Sequence, residues 1–424
     1  MIRIGFFAPL LTTGGTQRHL QQVLALLDPD RFTARVITLR PGGEVEAELR
    51  AAGIAVTSLD LGSSLLTPRA AAAMTRAARA LRRDGVQLVH GYQWRPALVG
   101  ALVGRLAGVP LVLASKRSLT GGDVRARLAW RFIARRADTV LVNAEALRAE
   151  GERQGMRARW ATIPSGIDVE RFRALPPATE AKAALGLDPR RPVVGAIGRL
   201  ERRKGHDHFL TAAHAMLALA NGLRPQVLIV GAGPLREELG RQAAALGLTE
   251  SVHFTGEIAD VRVPLAAMDV FVLPSHAEGM SNALLEAMAA ARPVVATAVG
   301  GTREVLEGGR TGVLVPPGDP TAMAREVLAL LTNASHATRL ATAAAHRVQE
   351  TYSAHAMVQS LEALYTDRLE DKGEQGPGAQ EEGRTESGGG RARERSSRPT
   401  GSGGIGGAQR PQGASTERAP GSSI

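Results

Sequence analysis

The 424-residue sequence contains no cysteine and few aromatic residues, and it uses lysine rarely. The absence of cysteine excludes disulfide bonds and thiolate chemistry, which fits a reducing compartment. Aromatic residues make up only 3% of the chain, so the basic residues lack the stacking platform that binds single-stranded nucleic acid. We therefore expect no nucleic-acid partner. The basic residues include only four lysines, which are Lys116, Lys182, Lys204 and Lys372.

Long apolar runs are also missing. The longest candidate, residues 97–109, is short and is interrupted by Arg105, so we expect no membrane-spanning helix. The first 15 residues lack a basic segment followed by a long apolar one, and they are more typical of a strand and a glycine turn than of a signal peptide. These features predict a cytoplasmic protein.

The composition divides the chain into a folded body and a tail. Residues 371–424 contain 14 glycines and almost no large apolar residues, so they cannot offset the entropy of ordering and we predict a disordered tail. The formal net charge of the whole chain is +11. A basic protein attracts anionic partners, such as nucleotide phosphates or acidic lipids.

Short apolar runs alternate with amphipathic stretches along the body, which predicts parallel strands covered by helices. The fold class is therefore α/β, with two doubly wound Rossmann-like domains facing a cleft. Ligands in such sheets bind beyond the carboxyl ends of the strands. The predicted boundaries are a first domain at 1–175, a second domain at 176–337, helices at 338–370 that cross back to the first domain, and the tail at 371–424.

Glycine turns follow several predicted strands. Gly14-Gly15 and Gly233 each lie between a strand and a helix, where glycine lets backbone N–H groups approach a phosphate. Each turn is equally consistent with a plain tight connection. Arg199 and Lys204 surround a further turn, and their guanidinium and ammonium groups suit phosphate oxygens. The alternative for that segment is a solvated basic turn.

Two glutamates eight residues apart carry the strongest signal. Glu278 precedes a glycine in a loop after a buried strand, and Glu286 lies in the apolar helix predicted at 282–291. Ser281 or Asn282 is expected to cap that helix, whose N-terminus carries roughly half a positive charge. We interpret the carboxylates as sugar-binding groups beside a phosphate site, although most glutamates are surface charges.

Two candidate metal motifs are better explained by local structure. Asp28-Pro29-Asp30 predicts a turn, and the segment 206–208, with sequence HDH, predicts the start of a helix. We expect no metal site in either.

The segments GRLERRKG, VGAGPLREEL, VHFTGEIADV, EGMSNALLE and PSGIDVERF together resemble the retaining glycosyltransferases of family four (group 1), which have the GT-B architecture. The resemblance covers roughly residues 1–370. It implies that Arg199 and Lys204 bind the donor diphosphate and stabilise the leaving group. It also implies that Glu278 holds hydroxyls of the transferred sugar and Glu286 the ribose. Further donor contacts are implied for Gly14, Gly15, Gly233, Glu257, Ile258, Met280, Ser281 and Asn282.

The resemblance implies metal-independent, retaining transfer of a sugar from a nucleotide-diphosphate sugar to a hydroxyl of a glycan or lipid-linked acceptor. The first domain would serve the acceptor, the second would bind the nucleotide sugar, and no cofactor is implied. Two alternatives stay open: a sugar-nucleotide epimerase of the same architecture, and a non-catalytic nucleotide-sugar binder.

One position departs from the family pattern. Many members have a histidine after the strand that follows a "GVP" turn, whereas this chain has Lys116 and Arg117 there. His90, after an earlier strand, is the other candidate, although a histidine bonded to backbone is an equal interpretation. These three residues are the acceptor-side candidates.

The segment 124–136 is basic and amphipathic, with Arg127, Arg131 and Arg135 on one predicted stripe. One hypothesis is peripheral contact with an anionic membrane at its inner face. The alternative is an ordinary solvated helix whose apolar side lies in the core.

Overall fold

The structure of the chain is a computed structural model that describes residues 1–12, 14–62, 64–120 and 123–374. Most of the predicted tail therefore lies outside the described residues. Its first four residues, 371–374, are helical, which corrects the predicted boundary at 370. The physical reason is a pair of long-range ion pairs, because Asp371 contacts Arg159 at 3.1 Å and Lys372 contacts Asp138 at 2.8 Å.

The first sheet has seven parallel strands in the order β3-β2-β1-β4-β5-β6-β7. Its strands are β1 (Ile2–Ala8), β2 (Phe32–Thr38), β3 (Ala55–Ser58), β4 (Leu88–Tyr92), β5 (Leu111–Lys116), β6 (Thr139–Val142) and β7 (Trp160–Thr162). The helices between them are α1 (Gly15–Leu26), α2 (Glu44–Ala51), α3 (Pro68–Arg83), α4 (Trp94–Ala107), α5 (Val124–Arg136) and α6 (Glu145–Arg153). The strand order reverses between β1 and β4.

The second sheet has six parallel strands in the order β10-β9-β8-β11-β12-β13 and reverses between β8 and β11. Its strands are β8 (Val193–Ile197), β9 (Gln226–Val230), β10 (Val252–Gly256), β11 (Val270–Leu273), β12 (Val294–Thr297) and β13 (Val313–Val315). The remaining helices are α7 (Ala178–Ala184), α8 (His206–Leu219), α9 (Arg236–Ala245), α10 (Arg262–Ala267), α11 (Asn282–Ala289), α12 (Thr302–Val305), α13 (Pro320–Thr332), α14 (Ala334–Thr351) and α15 (Ala354–Glu374). The two doubly wound sheets confirm the predicted fold class.

Local sequence explains where the helices begin. The Thr67 side chain accepts a hydrogen bond from the N–H of Ala70, and Pro68 occupies the first helical position of α3, where its missing N–H costs nothing. Asp123 caps α5 in the same way. The central strands are buried on both faces, for example all five residues of β4 and of β9. Helices cover both faces of such a parallel sheet, and this is why its strands are continuous apolar runs in the sequence.

The last helix belongs to the core of the first sheet. Backbone hydrogen bonds join Ile167 to Tyr352 at 2.9 Å and to Ala354 at 2.8 Å, so the chain passes between the sheets twice, side by side. From there α15 packs on α1, and Tyr365 is fully buried among residues of the first sheet. The domain boundaries at 175 and 337 stay predictions. None of the described helices is both long and apolar enough to cross a membrane.

Candidate active site

A cavity of about 840 Å³ lies between the two sheets. Its lining residues follow β1, β4, β5 and β6 on one side and β8, β9, β10 and β11 on the other. Both sheets therefore present their carboxyl ends to it, beside the positions where each strand order reverses.

The structure brings all of the predicted donor-side residues to this cavity. They are Gly14, Gly15, Arg199, Lys204, Gly233, Glu257, Ile258, Glu278, Met280, Ser281, Asn282 and Glu286. Of the three acceptor-side candidates, Arg117 lines the cavity, whereas His90 and Lys116 do not. The individual roles of these residues stay predictions.

Lys204 and Glu278 form an ion pair in the wall of the cavity. Nζ of Lys204 donates to Oε1 of Glu278 at 2.5 Å, and the Ser275 hydroxyl donates to the same oxygen at 2.8 Å. The Glu278 side chain is 4% exposed and the Lys204 side chain is 14% exposed. Because the carboxylate is nearly out of water, its stability depends on these partners.

A glycine allows the two loops of this ion pair to meet. Gly205 has a φ of 67°, and a Cβ atom there would lie 2.0 Å from the carbonyl oxygen of Pro274. Only glycine fits this position, because the left-handed conformation and the close backbone contact both exclude a side chain. The lysine at 204 is therefore pressed against the loop that carries Glu278.

Arg199 is placed differently from Lys204. Its side chain is 68% exposed, and its Nε lies 2.7 Å from a carboxylate oxygen of Glu201. The same carboxylate contacts Nε of Arg203 at 3.1 Å. Glu201 also lines the cavity, and sequence reasoning assigned it no role. An anion that binds Arg199 has to compete with this glutamate.

The start of α11 forms another part of the wall. The Ser281 hydroxyl accepts from the N–H of Leu284 at 3.4 Å, so Ser281, one of the two predicted alternatives, caps the helix. The sulfur of Met280 accepts from the N–H of Ser165 at 3.3 Å, so this loop contacts the segment that follows the first sheet. A ligand in the cavity thus meets the positive end of the helix.

Glu286 lies on the buried side of α11, and its side chain is 12% exposed. Burial raises the pKa of Glu286, while Arg18 and Arg171 oppose that shift. Nη1 of Arg18 lies 3.8 Å from Glu286 and reaches it from the first turns of α1, across the cavity. Sequence analysis missed Arg18, and its position shortly after Gly14-Gly15 is the only signal that could have identified it.

The first-domain wall is built around Arg117. Its guanidinium contacts Nε2 of His19 at 3.2 Å and donates to the Ser165 hydroxyl at 2.9 Å. Burial lowers the pKa of Arg117 to about 10, so the group stays charged at neutral pH. The Asn143 amide also donates to the Ser165 hydroxyl, at 3.0 Å. The side-chain amide oxygen Oδ1 of Asn143 is buried and has no hydrogen-bond partner among the described residues.

His90 is a core residue, which corrects its prediction as an acceptor-side group. It is 0% exposed, and its ring nitrogens bond the hydroxyls of Tyr365 at 2.8 Å and Ser115 at 2.7 Å. Burial, and secondarily the charge of Arg117, lowers the pKa of His90 to about 3. The alternative of a bond to backbone was also wrong, because both partners are side-chain hydroxyls.

Lys116 is also corrected, because it points away from the cavity into the protein. It is fully buried and forms an ion pair with Glu150 on α6. Lys116 also donates to the carbonyl of Ser118 at 3.0 Å, while Glu150 accepts from the N–H of Thr120 at 3.0 Å. The pair therefore shapes the loop after β5, which presents Arg117 to the cavity.

The Asp28-Pro29-Asp30 segment forms the predicted turn. The N–H of Asp30 donates to the carboxylate of Asp28 at 2.9 Å, a local bond typical of aspartate in turns. The Asp28 N–H donates in turn to Glu362 of α15 at 2.8 Å. This segment is not among the cavity-lining residues.

Comparison with solved structures defines the fold class as GT-B. The Anabaena protein HepE in complex with UDP and glucose has a TM-score of 0.76 and 22% identity, covering 87% of this chain and 100% of that chain. A glycosyltransferase from Rickettsia africae ESF-5 also has a TM-score of 0.76 and is 18% identical. That match covers 87% of this chain and 98% of the Rickettsia chain.

Sequence comparison adds the family. Residues 13–171 match Glycosyltransferase Family 4, and residues 191–333 match the Glycosyl transferases group 1. A lipopolysaccharide core biosynthesis mannosyltransferase of Rhizobium meliloti is 33% identical over 256 residues, which are 58% of this chain and 69% of the relative. A 2-deoxystreptamine N-acetyl-D-glucosaminyltransferase of Streptomyces fradiae is 32% identical over 320 residues, which are 69% of this chain and 74% of the relative. The chain belongs to the group 1 glycosyltransferases of family 4.

Proposed function

We propose that this glycosyltransferase moves a sugar from a nucleotide-diphosphate sugar to a hydroxyl of a glycan or lipid-linked acceptor, with retention and without a metal. The observation that carries the proposal is the Lys204–Glu278 pair at 2.5 Å in the cavity wall. It sets a cation for phosphate directly beside a carboxylate for sugar hydroxyls. Arg199 and the start of α11 line the same cavity.

The donor diphosphate is proposed to lie between Lys204, Arg199 and the N-terminus of α11. Breaking the sugar–phosphate bond leaves negative charge on the diphosphate, and fixed positive groups there each contribute about 3–4 kcal/mol, by analogy with oxyanion donors. These groups can stabilise the charge without a divalent ion. The structural neighbour HepE was crystallised with UDP-glucose, which supports a nucleotide sugar as the donor.

The two glutamates are proposed to bind the parts of the donor on either side of the diphosphate. Glu278 accepts hydroxyls of the transferred sugar, and Glu286 accepts hydroxyls of the ribose. A Cβ atom at Gly15 would lie 3.8 Å from the side-chain amide of Asn282, so the cleft is narrow here. We infer that glycine at 15 leaves space for the diphosphate between the domains.

Retention is proposed to follow from attack on the face that the diphosphate leaves. The sugar–oxygen bond breaks with its electrons going to the diphosphate, and the acceptor oxygen bonds the same carbon. The acceptor proton passes to the departing phosphate oxygen. Glu278 is engaged by Lys204 and Ser275, which favours a binding role for it over attack on the sugar.

The acceptor is proposed to approach along the first-domain wall of Arg117 and Asn143. The side-chain oxygen Oδ1 of Asn143, which has no partner among the described residues, suits a hydroxyl donor, since a buried acceptor without a partner costs about 1–3 kcal/mol. The relatives act, by their names, in lipopolysaccharide core synthesis and on 2-deoxystreptamine. These acceptors differ, so the proposal extends only to a glycan or lipid-linked hydroxyl.

Peripheral membrane contact through α5 is a separate proposal. Trp130 and Ile133 are buried in the core, whereas Val124 and Leu128 are 53% and 59% exposed. Arg131 and Arg135 are exposed on the same helix. Arg127 is half-buried, so it does not belong to an exposed basic stripe as predicted. Sedimentation with anionic liposomes tests this: an Arg131→Glu/Arg135→Glu variant that sediments like wild type would exclude the contact. The cytoplasmic location stays a prediction.

A donor screen followed by product analysis tests the proposed function. Thermal shift with UDP, GDP and ADP sugars identifies the donor, because a bound ligand raises the midpoint of unfolding. Labelled donor with EDTA present should then give a glycosylated acceptor whose anomeric configuration matches the donor. Free diphosphate with an altered sugar would indicate an epimerase, and donor binding without turnover a non-catalytic binder. Lys204→Ala should reduce transfer at least about 100-fold, whereas Lys372→Ala, outside the cavity lining, should leave the transfer rate unchanged.

A further inference from the structure

Three side chains with metal-ligating atoms lie together where α8 begins and where the loop after β11 turns. They are Asp207, His208 and His276, and one carboxylate oxygen and two ring nitrogens lie within 4.8 Å of one another. Nε2 of His276 is 3.7 Å from Oδ1 of Asp207. The rings of the two histidines meet edge to face, with centroids 4.4 Å apart. The sequence predicted a helix start and no metal site at 206–208, because nothing in the sequence indicates that His276 is close.

The backbone fixes the two segments that carry these ligands. The N–H of His276 donates to the carbonyl of Arg203 at 2.9 Å, and Gly205 is in direct contact with Pro274. The Gln242 amide donates to the carbonyl of Asp207 at 2.8 Å. Ligands of a tetrahedral zinc ion lie about 3.4 Å apart, since each bond is about 2.0–2.1 Å long. Small side-chain rotations therefore close the cluster around an ion.

We propose that Asp207, His208 and His276 form a zinc-binding site. Two imidazoles and one carboxylate are ligands that Zn²⁺ takes readily, with water as the fourth, whereas Mg²⁺ and Ca²⁺ prefer oxygen. Within the described part of the chain, the ring nitrogens of His208 and His276 make no hydrogen bond, so their lone pairs are available to a metal. His276 is exposed and the other two are half-buried, so an ion reaches them from solvent.

The site has a structural consequence for the cavity. Asp207 follows Lys204 by three positions and His276 precedes Glu278 by two, so a bound ion ties together the two loops that hold the Lys204–Glu278 pair. None of the three ligands lines the cavity. The ion therefore reinforces the loops and takes no part in sugar transfer. This inference holds whether or not the proposed function is correct.

Metal titration of the untagged full chain tests the site. After treatment with EDTA and dialysis, calorimetric titration with ZnCl₂ should give a stoichiometry of one ion per chain. Bound Co²⁺ should give the visible absorption bands of an ion with a low coordination number. His208→Gln and His276→Gln should each weaken zinc binding at least tenfold. The matched control is His355→Gln, an exposed histidine on α15 outside the cluster, which should bind zinc like wild type.

Three results would overturn the inference: no one-to-one binding, binding that survives both histidine substitutions, or equal binding of Mg²⁺. Circular dichroism establishes that each variant is folded. If a histidine variant does not fold, Asp207→Asn replaces it, because asparagine keeps the shape and removes the charge. Weaker zinc binding by that variant supports the site, and unchanged binding excludes it.

Discussion

Removing the charge of Lys204 should damage stability and sugar transfer through two separable effects. In Lys204→Met, the carboxylate of Glu278 stays 4% exposed but loses its cation. Removing one partner of a buried ion pair costs about 3–5 kcal/mol. We expect the lower end, about 3 kcal/mol, because Ser275 still donates to Glu278 and Arg203 lies 4.0 Å away. Loss of the charge from the leaving-group site should also reduce kcat about 10²–10³-fold.

The double variant Lys204→Met/Glu278→Gln separates the two effects. Without either charge, no unpaired ion is buried, so the free energy of unfolding should return to within about 1 kcal/mol of wild type. Transfer should stay at least about 100-fold slower than in the wild type, because the double variant still lacks the cation that stabilises the negative charge on the departing diphosphate. Urea unfolding is best followed by circular dichroism, since the three tryptophans, Trp94, Trp130 and Trp160, all lie within the part of the chain that forms the first sheet.

A second ion pair provides the matched control. Lys182 contacts Asp269 at 2.9 Å, and its side chain is 8% exposed. Neither residue lines the cavity, so Lys182→Met should reduce stability while leaving the transfer rate of the folded protein unchanged. The reasoning is refuted if the double variant at 204 and 278 is as unstable as Lys204→Met, or if it transfers sugar at the wild-type rate.

Three further predictions concern buried ionisable groups. Burial raises the pKa of Glu286, so its ionised form destabilises the ligand-free fold as pH rises above the ordinary glutamate value. Glu286→Gln should therefore raise the unfolding temperature more at pH 8 than at pH 5, and a calorimeter measures the difference. His90 has the opposite pH dependence, because its pKa of about 3 in the fold lies below that of about 6.5 in the unfolded chain. The stability due to neutral His90 is present above about pH 6.5 and is lost as pH falls, by about 2 kcal/mol between pH 7 and pH 5. Urea unfolding of His90→Gln should lack that loss. Glu150→Gln should leave Lys116 buried without its counter-charge, lower stability by about 3 kcal/mol and raise KM for the acceptor more than KM for the donor. An unchanged acceptor KM would exclude a role for that pair in shaping the loop.

The fold was largely predictable because most strands are continuous apolar runs between glycine turns. The apolar runs predict strands at 192–197, 226–230, 270–273 and 294–297, and β8, β9, β11 and β12 lie within one residue of these ranges. No strand is predicted at 160–162, because β7 has only three residues, all half-buried, and so carries little apolar signal. Helices were predicted over 338–370, and the structure has α14 and α15 there; α14 begins four residues earlier than predicted, at Ala334.

All of the second-domain candidates line the cavity, whereas the first-domain candidates divide: Gly14, Gly15 and Arg117 line it, and His90 and Lys116 do not. Glu278, Glu286 and Lys204 occur in compact motifs whose spacing identifies a strand end and a helix start. His90 is buried by Tyr365 of α15, which is far away in the sequence. Lys116 is paired with Glu150 of α6, which is 34 positions further along the chain. Their burial is a property of tertiary packing, so local patterns could not distinguish these residues from Arg117.

Calorimetric titration of nucleoside diphosphates into the full chain, in EDTA, tests the central claim most directly. One of UDP, GDP and ADP should bind one-to-one without metal, and Arg199→Ala and Lys204→Ala should each weaken that binding at least tenfold, since each removes a cation from the phosphate site. The claim is contradicted if no diphosphate binds without a divalent ion, or if both variants bind it as tightly as the wild-type protein.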